Sequence, residues 1–242
     1  MALAVDAGDR VVVHGGGMMA AAMRATEGLA GAVFAAGVSN SGELDRLEYA
    51  REEDTLRAFI EKNRDRQIIY FSSYIAKDGT SRYAQHKREM ELLIAERARD
   101  FLVLRLPQVV GKATNKTLVN YFVNAARMRE AIAIQRNAFR SLVDAADVGR
   151  VLSLFIGKNV TREIIAVGPR KPLRVLDIVE SIESILKLKM DYTIVDGGER
   201  QSADLSRASQ LLDCNDPLFD TDYQHYVLNK YVSKLFSGRF DQ

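Results

Sequence analysis

Three side chains in the stretch Gln67–Lys87 could carry out proton chemistry together. Tyr83 and Lys87 are four residues apart, so on a helix both project from one face. Ile68–Phe71 is a short apolar run bounded by polar residues; it reads as a buried strand and ends in Ser72 and Ser73. A loop with a turn signal at Gly79 follows, after which Thr80 or Ser81 can cap the helix. A hydroxyl at a strand end, a phenol and an ammonium therefore converge on one cleft. A free tyrosine titrates at about pH 10, too high for a base at neutrality, but a fixed ammonium nearby favours the phenolate. Lowering that value by about three units takes roughly 4 kcal/mol of differential stabilisation. So tuned, Tyr83 would move the proton of a carbinol or ketone while Ser73 hydrogen-bonds the same oxygen.

The elements around this stretch suggest what it would work with. Arg10–His14 reads as a buried strand, followed by Gly15-Gly16-Gly17-Met18-Met19-Ala20 and a helix continuing through AAMRA. This is G-x-G-x-x-A between strand and helix, the setting of a dinucleotide fingerprint. Gly15 allows the tight turn, Gly17 lets a pyrophosphate approach the backbone, and Ala20 keeps helix and strand close, with the helix N-terminus facing the phosphates. A full fingerprint expects an acidic residue about 20 positions further on. Here the next strand is Ala32–Gly37, ending in small residues. Ser41 reads as the cap of the following helix. Glu43–Asn63 is highly charged, with Leu44, Leu47, Leu56, Phe59 and Ile60 at helical spacing and its charges read as a solvated face.

The strand end Phe71-Ser72-Ser73 and the Y-x-x-x-K pattern of Tyr83-Ala84-Gln85-His86-Lys87 resemble the short-chain dehydrogenase/reductases. That resemblance implies catalysis by Ser73, Tyr83 and Lys87, with Lys87 also holding the ribose of NAD or NADP and the nicotinamide adding positive charge. It implies cofactor contacts from Gly15, Gly17, Met18, Met19, Ala36, Gly37, Lys87 and Pro107. In that family Ala35-Ala36-Gly37 is typical of a later strand. The segment carrying the second and third strands is thus missing, which leaves the adenosine half of the site, and the choice between NAD and NADP, open. Leu104–Gly111 (LRLPQVVG) and Phe139–Val148 (FRSLVDAADV) resemble the extended branch, the NAD-dependent epimerases and dehydratases of nucleotide-activated sugars. The resemblance places Gln108 near the sugar-nucleotide phosphates and Arg140 as a bidentate clamp on the diphosphate. Ala146 stands where the first of two paired acids is expected. The loop between Ser73 and Tyr83 is short for this branch, which keeps Ser72 as an alternative to Ser73.

The function implied is an NAD(P)-dependent 4-epimerase or keto-sugar reductase on a nucleotide sugar, in polysaccharide biosynthesis. A 4,6-dehydratase fits less well, because Tyr74-Ile75 stand where those enzymes carry Asp-Glu. The other reading is a non-catalytic nucleotide- or sugar-nucleotide-binding sensor or assembly subunit. The resemblance also implies a homodimer through paired helices; Met90, Leu93 and Ile94 would face either a second copy or the domain's own sheet.

Fold and bulk properties agree with this picture. Strands are expected at Phe101–Leu106, Ala131–Ile134, Ile164–Gly168 and Tyr192–Val195, and helices at Ser81–Arg99, Lys116–Arg129, Val175–Leu188 and Asp220–Phe236. The fold class is α/β: a Rossmann-like, mostly parallel sheet flanked by helices and shortened near the N-terminus, with a small C-terminal α/β substrate lobe. Residues 1–111 form the cofactor domain; residues 112–242 complete the sheet and build the lobe. The chain is 47% hydrophobic and 27% charged with net charge +2, and holds no basic block, so neither nucleic acid nor a membrane is expected as a partner. Its start, MALAVDAGDRVVV, has no basic leading segment and is not read as a signal peptide. The single Cys214 has no internal disulfide partner, which fits the cytoplasm, and three His with one Cys offer no metal site.

Overall fold

A computed structural model describes residues 11–112 and 117–238 of the 242-residue chain. By its internal contacts the chain divides into two units, Met1–Arg105 with Ala146–Ile165, and Leu106–Ala145 with Ala166–Gln242. In chain order the elements begin with β1 (Val12–His14), α1 (Met18–Arg24), β2 (Ala32–Phe34) and α2 (Arg46–Lys62). Then come β3 (Ile68–Ser73), α3 (Arg82–Arg97), β4 (Phe101–Leu106), β5 (Gln108–Val110), α4 (Leu118–Met128), β6 (Ile132–Gln135) and β7 (Phe139–Arg140). The remainder is β8 (Leu142–Asp144), α5 (Ala145–Gly157), β9 (Glu163–Ala166), β10 (Leu173–Arg174), α6 (Val175–Leu186), β11 (Tyr192–Val195), α7 (Ser206–Leu211) and α8 (Tyr223–Ser237).

The first unit is built on a five-stranded sheet in the order β1-β2-β3-β4-β9, with β1–β2 and β2–β3 paired parallel. The expected parallel α/β sheet is present, and its shortening is visible as topology: among the described residues β1 ends the sheet. That position corrects the expectation of a buried first strand. Val12 and His14 are exposed, because an edge strand lacks the side chains a second neighbour would lay alongside it. Arg10, placed in the same expected strand, lies outside the described residues, as does Lys116 of the expected fourth helix. Strand β2 is buried along its whole length, as befits an inner strand covered by helices. Helices α2 and α3 pack Leu56, Phe59, Ile60, Met90, Leu93 and Ile94 against Phe34, Ile68 and Tyr70. The Met90–Ile94 face is therefore filled by its own core.

Two caps set the helices that matter for the site. Ser81 caps α3 as expected, its side chain accepting from the Ala84 N–H. For α2 the cap is Asp45, which accepts from the Leu47 N–H, and not Ser41. The late start leaves Leu44 outside the helix at 89% exposure, and Leu47 lies on the outer face.

The turn after β1 leaves no room for a side chain. Gly15 has φ +130°, and a Cβ there would lie 2.4 Å from the Ala35 carbonyl oxygen. The Arg24 guanidinium, from the end of α1, donates to the carbonyls of Gly15 (2.6 Å) and Val13 (3.2 Å) and ties the turn down. Gly15→Ala is expected to lower stability by about 1–3 kcal/mol through backbone strain alone, with the clash in addition. Urea unfolding measures this, and a wild-type midpoint would show that the turn is not held against Ala35.

The second unit holds short strand pairs. β5 and β8 run parallel, with Gln108 level with Leu142; β6 and β11 are also parallel, while β7 and β10 are antiparallel. Helix α8 is bolted to β8: buried Asp144 accepts from Tyr231 Oη (2.8 Å) and Lys230 Nζ (2.5 Å). Of the aromatic residues expected to be core or interface in this last helix, Tyr223 and Tyr231 are buried and Tyr226 is exposed. Among the described residues no helix is long and apolar enough to cross a membrane.

Candidate active site

Strand β3 and helix α3 bring Ser73, Tyr83 and Lys87 together. Ser73 ends β3 near the Tyr83 phenol, close enough to act on its ionisation, and Lys87 Nζ lies 5.5 Å from the centroid of the Tyr83 ring. The two serines part company here. Ser72 shares the face of Tyr70 along the strand; it is buried and donates to Glu91 Oε1 at 2.6 Å, and Glu91 in turn accepts a two-pronged contact from Arg105. Ser72 is thus spent on a structural pair, and Ser73 is the hydroxyl that meets the phenol.

Lys87 is 2% exposed, so its charge must be matched inside the protein. Its partner is Glu52 of α2, itself 0% exposed, at 3.0 Å from Oε1 and 3.4 Å from Oε2. The ammonium also donates to Tyr70 Oη at 2.9 Å. Glu52 further accepts from Tyr70 Oη (2.5 Å) and the Val38 N–H (2.6 Å), and it lies 3.0 Å from His86 Nε2. Burial pushes the Glu52 carboxyl up, but Lys87, His86, Tyr70 and the Val38 N–H outweigh it and hold the group at about 2. The charges of α2 do not all form a solvated face.

This pair also answers the expectation of a lowered tyrosine. Tyr83 sits with Val38, Tyr49 and Ile75 in an apolar cluster. Burial raises its phenol above the ordinary value; Lys87 and Ser73 pull it down, and Glu52 pushes it up again. The ammonium acts in the expected direction, but desolvation and the carboxylate beside it prevail.

The small residues after β2 border the cluster. A Cβ on Gly37 would lie 2.6 Å from Glu52 Oε1 and 2.9 Å from Lys87 Nζ, so only glycine lets the chain pass here. Gly15 backs onto Ala35 and Ala36, while Gly17 caps α1 and Met18 and Met19 begin it. The candidate cofactor positions Gly15, Ala36, Gly37 and Lys87 therefore lie along the ends of β1, β2 and β3 in one unit. Lys87 turns its donors to both Glu52 oxygens and to Tyr70, and a Cβ at Gly16 would meet nothing within 4 Å. The open space at Gly16 fits a bound dinucleotide. Pro107, Gln108 and Arg140 belong to the second unit. There the Arg140 guanidinium donates to the carbonyls of Phe139 (2.8 Å) and Glu199 (2.9 Å), which orients it through one nitrogen.

Glu52, Tyr70 and His86 escaped the sequence reading. A signal for Glu52 existed: Tyr49, Glu52, Leu56, Phe59 and Ile60 are spaced three, four, three and one apart, so the acid stands on the buried stripe of α2.

The sheet order and the glycine turn after its first strand define a Rossmann-like fold, which the chain shares with solved structures of nucleotide-sugar enzymes. Among solved structures the chain is similar to UDP-N-acetylglucosamine 4-epimerase from Methanobrevibacter ruminantium M1 in complex with UDP-N-acetylmuramic acid. That match has TM-score 0.70 and 17% identity, over 86% of this chain and 77% of the other. It is also similar to RMD from Pseudomonas aeruginosa complexed with NADPH (TM-score 0.72, 14% identity, 96% and 100% of the chains). A third is UDP-glucose 4-epimerase from Bifidobacterium longum in complex with NAD+ and UDP (TM-score 0.66, 15% identity, 84% and 76%). No family model matches the sequence, and no curated protein sequence matches it.

Proposed function

We propose that the protein is an NAD(P)-dependent oxidoreductase of a nucleotide-activated sugar, working as a 4-epimerase or keto-sugar reductase through Ser73, Tyr83 and Lys87. The observation that carries this is the buried Tyr83 with the Lys87 ammonium 5.5 Å from its ring and Ser73 at the adjoining end of β3. Tyr83 exchanges a proton with the sugar oxygen, Ser73 hydrogen-bonds that oxygen, and Lys87 is the candidate to hold a ribose hydroxyl. The cofactor, when bound against Gly15, Gly17, Met18, Met19, Ala36, Gly37 and Pro107, supplies or accepts hydride. Gln108 and Arg140 are the candidates for the substrate diphosphate. The similar structures support this reading, since they hold NADPH in one case and NAD+ with UDP in another.

One feature favours a second reading, a ligand-binding subunit without turnover: β1 ends the sheet, so the strands that would border an adenosine are not among the described residues. Titration with NADH and NADPH, followed by nicotinamide fluorescence and thermal shift, decides between them. Saturable binding at micromolar concentration is expected; it identifies the cofactor and opens a screen of nucleotide sugars. A folded protein that binds neither would overturn the enzyme reading in favour of the second.

A further inference from the structure

The proton transfer just described has no step for Glu52, yet this is the most thoroughly engaged side chain of the first unit. An ionised carboxylate has about four lone-pair sites, and Lys87, Tyr70, His86 and the Val38 N–H occupy them. Its position follows from the fold: α2 lays Glu52 against the end of β2, and α3 brings His86 and Lys87 onto it from the other side. The groups that act on Tyr83 are Lys87 from α3, Glu52 and Tyr49 from α2, and Ser73 and Tyr70 from β3, with His86 stacked on Tyr49 behind them. The ammonium that would draw out a phenolate is matched by a carboxylate one hydrogen bond away, with no solvent to screen either. From the distance of Tyr83 the two charges act as a dipole, not as a cation.

We propose that Glu52 is a positioning residue that fixes Lys87 and, by balancing its charge, keeps Tyr83 a neutral phenol in the resting protein, so that the site is set to reduce a carbonyl. This rests on the reading of Tyr83 as the proton carrier, and it narrows that reading toward a keto-sugar reductase. In the reductive direction a reduced nicotinamide held beside Lys87 would supply hydride, two electrons to the carbonyl carbon, as the C=O π bond becomes a C–O single bond. Tyr83 gives its proton to the oxygen, and water restores the proton to the phenolate. An epimerase that begins by oxidising an alcohol would need its bound oxidised nicotinamide to draw out the phenolate against this balance.

The test reads Tyr83 directly by ultraviolet difference titration of tyrosinate in the full chain. Its component is obtained by subtracting the same background carrying Tyr83→Phe. In the wild type it is expected to ionise above the ordinary tyrosine value of about 10. In Glu52→Gln, where Lys87 is left unbalanced, it is expected to fall by about 1–3 units. In Glu52→Gln/Lys87→Gln, which removes both charges and keeps amide hydrogen bonds, it is expected to return to within about one unit of wild type. The proposal is overturned by a wild-type value at or below 10 or so, by no change in Glu52→Gln, or by a double variant displaced by more than about one unit. Should Glu52→Gln fail to fold, the wild type and the double variant still decide. Turnover plays no part in the readout, so a failed cofactor titration would sink the functional reading without touching this result, and the reverse also holds.

Discussion

Tyr83→Phe should abolish turnover while leaving the cofactor bound. Removing the phenolic oxygen deletes the group that exchanges a proton with the sugar oxygen, and general acid–base catalysis of this kind is worth about 10²–10⁴ in rate. The ring itself, packed against Val38, Tyr49 and Ile75, is kept by phenylalanine, so the apolar cluster survives. Loss of the hydroxyl is expected to cost no more than about 1 kcal/mol of stability. The informative measurement is single-turnover hydride transfer with the nucleotide sugar that the screen returns, beside a fluorescence titration of the cofactor. The expected outcome is a transfer rate lower by at least about a hundredfold with a dissociation constant changed less than about threefold. Wild-type transfer by the variant would remove Tyr83 from the chemistry. Equal loss of binding and rate would instead make it a binding residue.

Much of this was legible in the residues because the signals were local. The strand-turn-helix at Gly15, the serine strand end and the four-residue spacing of Tyr83 and Lys87 each depend on neighbours in sequence, and each formed. Ser81 was readable as a cap for the same reason. The difficulties began where a long-range partner decides. Val12 reads as a core residue, but the edge position of β1 exposes it. Ser72 and Ser73 are equivalent as a dipeptide, and only Glu91, nineteen residues on, claims the first of them. The raised phenol of Tyr83 in the chain by itself was not legible either, and its cause is the same. The ammonium of Lys87 was read from one helix, whereas the carboxylate that opposes it arrives from another, thirty-five residues earlier in the chain. A charge read from one element says little about the field at a site until every element packed against it has been counted.

That pairing carries the second large effect. Taking away one partner of a buried ion pair leaves the other charged and unmatched, a loss of about 3–5 kcal/mol. For a fold whose net stability is of the order of 5–15 kcal/mol, this is a large fraction. Urea unfolding of Glu52→Gln, Lys87→Gln and the double variant should therefore show two strongly destabilised singles and a double close to wild type, with a coupling term of several kcal/mol. Additive losses would mean that the two groups do not stabilise one another. The pH dependence has a definite sign. Glu52 is held at about 2 in the folded chain against an ordinary 4.5, so the folded state binds the weaker share of protons. Its stabilisation is complete above about pH 4.5, is lost as the pH falls toward 2, and is gone below both values; the amount is about 3 kcal/mol. The double variant has no carboxyl there to titrate. The gap between its unfolding free energy and that of the wild type should therefore shift by that amount across this window and stay constant from pH 5 or so upward through neutrality. A gap that is flat below pH 4.5 as well would mean that Glu52 meets the same surroundings folded and unfolded, which its four hydrogen-bond partners inside the core do not allow.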